Sequence, residues 1–137
     1  MNHTDDNYIF ELPMKVRDYE VDAEGIVNNA NYLHYLEVTR HEFCEWAGLS
    51  FARMHADGIY PVLSRVEIDY KHPLGLGQSM VSKLKLTRKG PLFVFIQDIF
   101  TPEGLPVVRA RFEVACLENG RLTRGEVLAR AFSRFLQ

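Results

Sequence analysis

The stretch DYEVDAEGIVNNANY, residues 18–32, gathers the residues of this chain best suited to chemistry. Asp22 supplies a carboxylate, and Gly25 follows three residues later, where a tight turn or close approach of a ligand to the backbone needs a missing side chain. Asn28 and Asn29 stand at the mouth of a helical pattern, so one of them is the expected N-cap. A helix start exposes unpaired N–H groups and a partial positive charge. Such donors can hold an oxyanion or polarise a carbonyl. A nearby carboxylate can attack that carbonyl or activate water. The stretch therefore holds the parts for acyl transfer or hydrolysis. It also fits a plainer description, a turn aspartate that caps the helix.

Other residues invite the same comparison. His34, Glu37 and His41 share roughly one helix face, but HEFCE lacks the second histidine of a zinc-binding HExxH, so no metal is expected. Lys83, Lys85, Arg88 and Lys89 form a basic run ending at Gly90–Pro91; it suits a solvated hairpin tip or a phosphate-docking surface. Ser64 stands among apolar alternation, where a hydroxyl commonly bonds backbone. Cys44 and Cys116 lack metal or redox spacing and read as two buried thiols.

The elements that must position these residues follow from periodicity. Phe10, Leu12, Met14 and Val16 alternate with polar residues, which predicts a half-buried strand, and Pro13 places it at an edge or makes it locally irregular. Tyr32, Leu33, Leu36, Phe43 and Ala47 recur at helical spacing up to a C-capping Gly48. SFARMHADG predicts a short helical turn. The period then changes to two. YPVLSRVEIDY places Val62, Ser64, Val66, Ile68 and Tyr70 on one face, and SMVSKLKLTRK, PLFVFIQDIF and LPVVRARFEVACLE continue as strands, with KGP and PEG as hairpin turns. A short helix over RGEVLARAFSRFL closes the chain. The pattern is an α+β domain, one antiparallel sheet curled around one long helix. A single helix covers one face of that sheet, so Phe93, Phe95, Ile96 and Phe100 create a need for burial that dimerisation would meet.

Bulk properties agree with one domain over 1–137. The 137 residues are 47% hydrophobic and 25% charged with net charge −2, which disfavours a nucleic-acid binder built on phosphate contacts. No apolar run reaches the roughly 20 residues needed to span a bilayer, and the polar, acidic N-terminus lacks the features of a signal peptide. A cytoplasmic location is expected.

VRDYEVDAEGIVNNANYLHYLEVTRHEF resembles the hotdog-fold thioesterases, in the branch of 4-hydroxybenzoyl-CoA thioesterase and the bacterial long-chain acyl-CoA thioesterases. Their pattern D-x-x-G-x-V-x-x-x-x-Y is met by Asp22, Gly25, Val27 and Tyr32, and the likeness runs on through SRVEIDYKHPLGLGQ to the hairpins. VNNANYL also resembles acyl carrier protein (ACP) thioesterases of the same fold. The resemblance implies a hotdog fold and hydrolysis of acyl-CoA to free acid and CoA, with no cofactor, in a homodimer or homotetramer with sites at the subunit interface. It implies Asp22 as nucleophile or general base and the Asn29 backbone N–H as carbonyl donor. Gly25, Tyr32 and Ser64 would contact the substrate. Arg88 and Lys89, with Lys71 and His72 as weaker matches, would contact CoA. Some relatives carry histidine where this chain has Asn29, and an amide cannot shuttle protons; members with asparagine there often take fatty acyl chains. Hydrolysis of acyl-ACP and non-catalytic acyl binding are the alternatives.

Overall fold

The computed structural model describes residues 7–136. Strand β1 (Phe10–Lys15) leads through a 3₁₀ turn at Asp18–Glu20 to helix α1 (Asn29–Trp46). Helix α2 (Phe51–Ala56) precedes strands β2 (Ile59–Tyr70), β3 (Ser79–Lys89), β4 (Leu92–Phe100), β5 (Pro106–Glu118) and β6 (Arg121–Thr123), and α3 (Glu126–Ala131) follows. The antiparallel order is β1-β3-β4-β5-β2, with β6 beside β5. β1 is an edge strand, one of the two places Pro13 allows, and the apolar run of β4 lies in the middle. β6 is too short to show as a pattern in the sequence. The Asn119–Gly120 turn, with both residues at positive φ, folds it back onto β5.

Helix α1 buries Tyr32, Tyr35, Leu36, Thr39, Phe43 and Cys44 against the concave face of the sheet. Phe43 is the hub, ringed by Phe10, Phe95, Phe132 and Phe135. Gly48, at φ +91, ends the helix, its N–H donating to Glu45 O.

Two expectations change. Val62 does not share a face with Val66. A β-bulge between Leu63 and Arg65 shifts the register, so Leu63 pairs with Val114 and Val66 with Phe112, while Val62 pairs with Ala115 on the convex face. Ser64 sits in the bulge, and its hydroxyl donates to Glu113 O at 3.0 Å. The convex face of β4 also needs no partner for burial. Val94 and Ile96 are buried within the protomer, and Lys83, Lys85 and Arg109 lie over the rings of Tyr8 and Phe100. The exposed apolar surface is instead on β2, where Tyr60, Val62, Leu63, Val66 and Tyr70 stand on an edge strand.

Candidate active site

The site begins with a narrow antiparallel turn. Val21 and Val27 form an isolated bridge, the Asp22 N–H donates to Ile26 O at 2.8 Å, and the Gly25 N–H donates to Asp22 O at 3.0 Å. Gly25 takes φ +80, a conformation that a side chain would strain. Asp22 is exposed, and its Oδ1 accepts the Glu24 N–H at 2.8 Å. The carboxylate thus closes its own turn and leaves the helix to another cap.

That cap is Asn28, whose Oδ1 accepts the Ala30 N–H at 2.9 Å. The Asn28 backbone carbonyl accepts the Asn31 N–H. Asn29, the first helical residue, lies between them, and among the described residues no acceptor takes its N–H. Glu20 fixes the turn to the helix. Its carbonyl accepts the Asn28 N–H at 3.1 Å and the Asn31 side-chain amide at 2.8 Å, and its carboxylate accepts the Tyr35 hydroxyl at 2.9 Å. Burial, with that carboxylate, holds the Tyr35 phenol protonated well above its ordinary range.

The segment after β2 walls the other side. The Val27 N–H donates to Leu74 O, Ile26 bridges to Gly75, and the Tyr32 hydroxyl accepts the Leu74 N–H at 3.0 Å. The Tyr70 hydroxyl donates to Asn29 O at 3.3 Å. A groove of about 140 Å³ results, lined by Ile26, Val27, Asn29, Tyr32, Tyr70, Lys71, His72 and Pro73. Tyr32 is buried at its floor, and burial raises its phenol pKa.

The protomer therefore brings together Asn29, Tyr32, Lys71 and His72, with Asp22 and Gly25 on the adjoining turn. It does not bring Ser64, Arg88 or Lys89 there. Lys15 pairs with Ser79 at the near end of β3, and Lys89 ends that strand ten residues on, roughly 33 Å away. Lys89 is exposed. Arg88 is held by Arg124 O at 2.6 Å and by the Glu126 carboxylate at 3.0 Å, and its hydrogen bond, with its charge, draws the Glu126 pKa down. Sequence reasoning missed Glu20 and Tyr70. Neither carries a motif; their bonds exist only because the 3₁₀ turn and the end of β2 converge on one helix start. Among the described residues, no three or more His, Cys, Asp or Glu side chains converge as metal ligands, and His41 lies against Phe51.

The chain is similar to known proteins. The model of the Thioesterase-like superfamily matches residues 16–131. A chloroplastic acyl-acyl carrier protein thioesterase of Arabidopsis thaliana is 30% identical over 111 residues, covering 80% of this chain but 58% of its own length. The long-chain acyl-CoA thioesterase FadM of Escherichia coli is 32% identical over 114 residues, 79% of this chain and 83% of its own. Among solved structures, a hypothetical protein from Thermus thermophilus superposes with a TM-score of 0.82 at 26% identity, over 91% of this chain and 98% of its own.

Proposed function

From this chain, which belongs to the Thioesterase-like superfamily and has its hotdog fold, we infer hydrolysis of acyl-CoA to free acid and CoA. The observation that carries this reading is the unpaired Asn29 N–H at the first turn of an 18-residue helix, in a groove adjoining the Asp22 turn. A thioester carbonyl oxygen placed there accepts the N–H and gains from the helix dipole as negative charge develops. Asp22 then acts in one of two ways. Its carboxylate adds to the carbonyl carbon, thiolate leaves, and water cleaves the resulting anhydride. Alternatively it takes a proton from water, whose oxygen adds to the carbon, and thiolate departs. Single-turnover hydrolysis in ¹⁸O water separates the two, because only the anhydride route can carry label into the Asp22 carboxylate.

Lys71 and His72 stand beside the groove, where phosphopantetheine would pass, so their positions support contact with CoA. Arg88 and Lys89 can join the site only across subunits. The free edge of β2 and its exposed apolar side chains favour a homodimer, alone or paired into a tetramer, in which Ser64 and the basic hairpin of one protomer approach the groove of the other. The Arabidopsis relative favours a second reading, acyl-ACP hydrolysis. Thiol release from matched acyl-CoA and acyl-ACP substrates tests the assignment. Faster turnover of the CoA thioester supports it, and turnover confined to the carrier protein replaces it with the second reading.

A further inference from the structure

A second feature lies along the same helix. Leu33, Glu37, Arg40, His41 and Cys44 fall on one side of α1, and Leu63, Val66, Ile68 and Tyr70 occupy the concave face of β2. Leu33, Leu63, Val66 and Tyr70 stay exposed and form an apolar trough between α1 and β2, with the Asn29 groove toward one end and a cavity of about 250 Å³ toward the other. Phe51, Met54, Phe93, Phe95 and Phe132 help line that cavity, with Arg40 in its wall. An engineered apolar cavity of ~150 Å³ accepts benzene, so this one has room for a larger apolar group.

Arg40 is the anomaly. Its guanidinium lies 4.2 Å from the Phe112 ring and donates to Gln97 Oε1 at 3.0 Å, while Gln97 Nε2 donates to Leu36 O at 2.9 Å. The buried Gln97 thus fixes the cation in place. A guanidinium offers five N–H donors. Among the described residues Gln97 takes one, and no carboxylate, Glu37 included, comes within ion-pair distance. Arg40 is half-buried, and burial weakens its charged form more than the nearby Glu37 carboxylate restores it, so an acceptor on a ligand in the cavity would be favoured there.

Arg40 lies eleven residues beyond Asn29 on the helix, roughly 16 Å. Val66, across from Phe112, lies four residues before Tyr70, about 13 Å along the strand. An extended chain advances about 1.2 Å per bond, so some eleven to thirteen bonds separate a thioester at Asn29 from Arg40. We propose that the trough holds the acyl chain and that Arg40 selects chains bearing an anionic or hydrogen-bond-accepting oxygen about twelve carbons from the thioester. This rests on the thioesterase reading and names its substrate class.

The test compares dodecanoyl-CoA, 12-hydroxydodecanoyl-CoA and the mono-CoA thioester of dodecanedioic acid. The wild type should favour the dicarboxylic thioester over dodecanoyl-CoA by about tenfold or more in kcat/KM, with the hydroxy chain between, the scale of one charge-assisted hydrogen bond. Arg40→Met should reverse that order, and Arg40→Lys should keep part of it. A purely structural arginine would lower all three rates together and leave their ratios unchanged. A wild-type preference for dodecanoyl-CoA, unaltered by Arg40→Met, overturns the proposal. Calorimetric binding of the same three thioesters to the Asp22→Asn protein decides the matter independently of turnover. No hydrolysis of any of the three by the wild type, together with selective binding, rejects the thioesterase reading alone, and equal binding of all three rejects the role of Arg40.

Discussion

At the scale of residues, the opening stretch divides its labour differently from a simple cap. Asp22 was legible as a turn carboxylate before the helix, and the choice between Asn28 and Asn29 was not, because either amide can cap. The structure gives Asn28 the cap and leaves the Asn29 N–H without a protein acceptor. Asn28→Ala should therefore cost about 1 kcal/mol, read as a lower urea midpoint, and should also slow turnover by loosening the first turn. Tyr70 escaped sequence reasoning because its bond to Asn29 O spans 41 positions. The expected burial of both cysteines is found. Burial pushes the Cys44 thiol up to about 12. The unfolded chain then releases this proton at lower pH than the folded one, so Cys44 makes stability fall as pH rises from its ordinary range near 9 toward 12. Iodoacetamide at pH 8.5 should leave Cys44 unmodified in the native protein and alkylate it in urea.

At the scale of elements, alternation and helical spacing located every strand except β6 and all three helices, but not the inserted residue in β2. A bulge changes which face a side chain joins without changing residue types, so Val62 and Val66 looked equivalent. The basic run was equally ambiguous. Arg88 anchors the start of α3 through Arg124 O and Glu126, so Arg88→Ala should lower the melting temperature, whereas exposed Lys89→Ala should leave it unchanged. A rise in KM for acyl-CoA with Lys89→Ala would support its contact with CoA. Gly125 precedes α3 at φ +70, and a Cβ there would stand 2.7 Å from the Phe93 ring. Gly125→Ala should cost about 1–2 kcal/mol through its backbone alone, and more through the ring, in an equilibrium unfolding measurement.

At the scale of the molecule, the curled sheet and its helix were legible because period and turn residues agree along the chain. The surface available for association was not. Sequence alone pointed to the phenylalanines of β4, yet Phe93 and Phe95 pack against Phe132 on the concave face, and the Tyr8 ring and the cationic ends of Lys83 and Arg109 lie over Phe100, leaving β2 as the apolar edge. Light scattering should report at least a dimer, and Val62→Lys should shift it toward monomer and lower turnover together, because the proposed contacts of Arg88, Lys89 and Ser64 with the groove require a partner. The expectations about turnover depend on the carboxylate in the Asp22 turn acting on a thioester. The most direct measurement is acyl-CoA hydrolysis by Asp22→Asn, with melting temperature and oligomeric state recorded on the same sample. The account predicts a loss of kcat of about 100-fold or more in a protein that is otherwise unchanged. Turnover within a few-fold of wild type would contradict it.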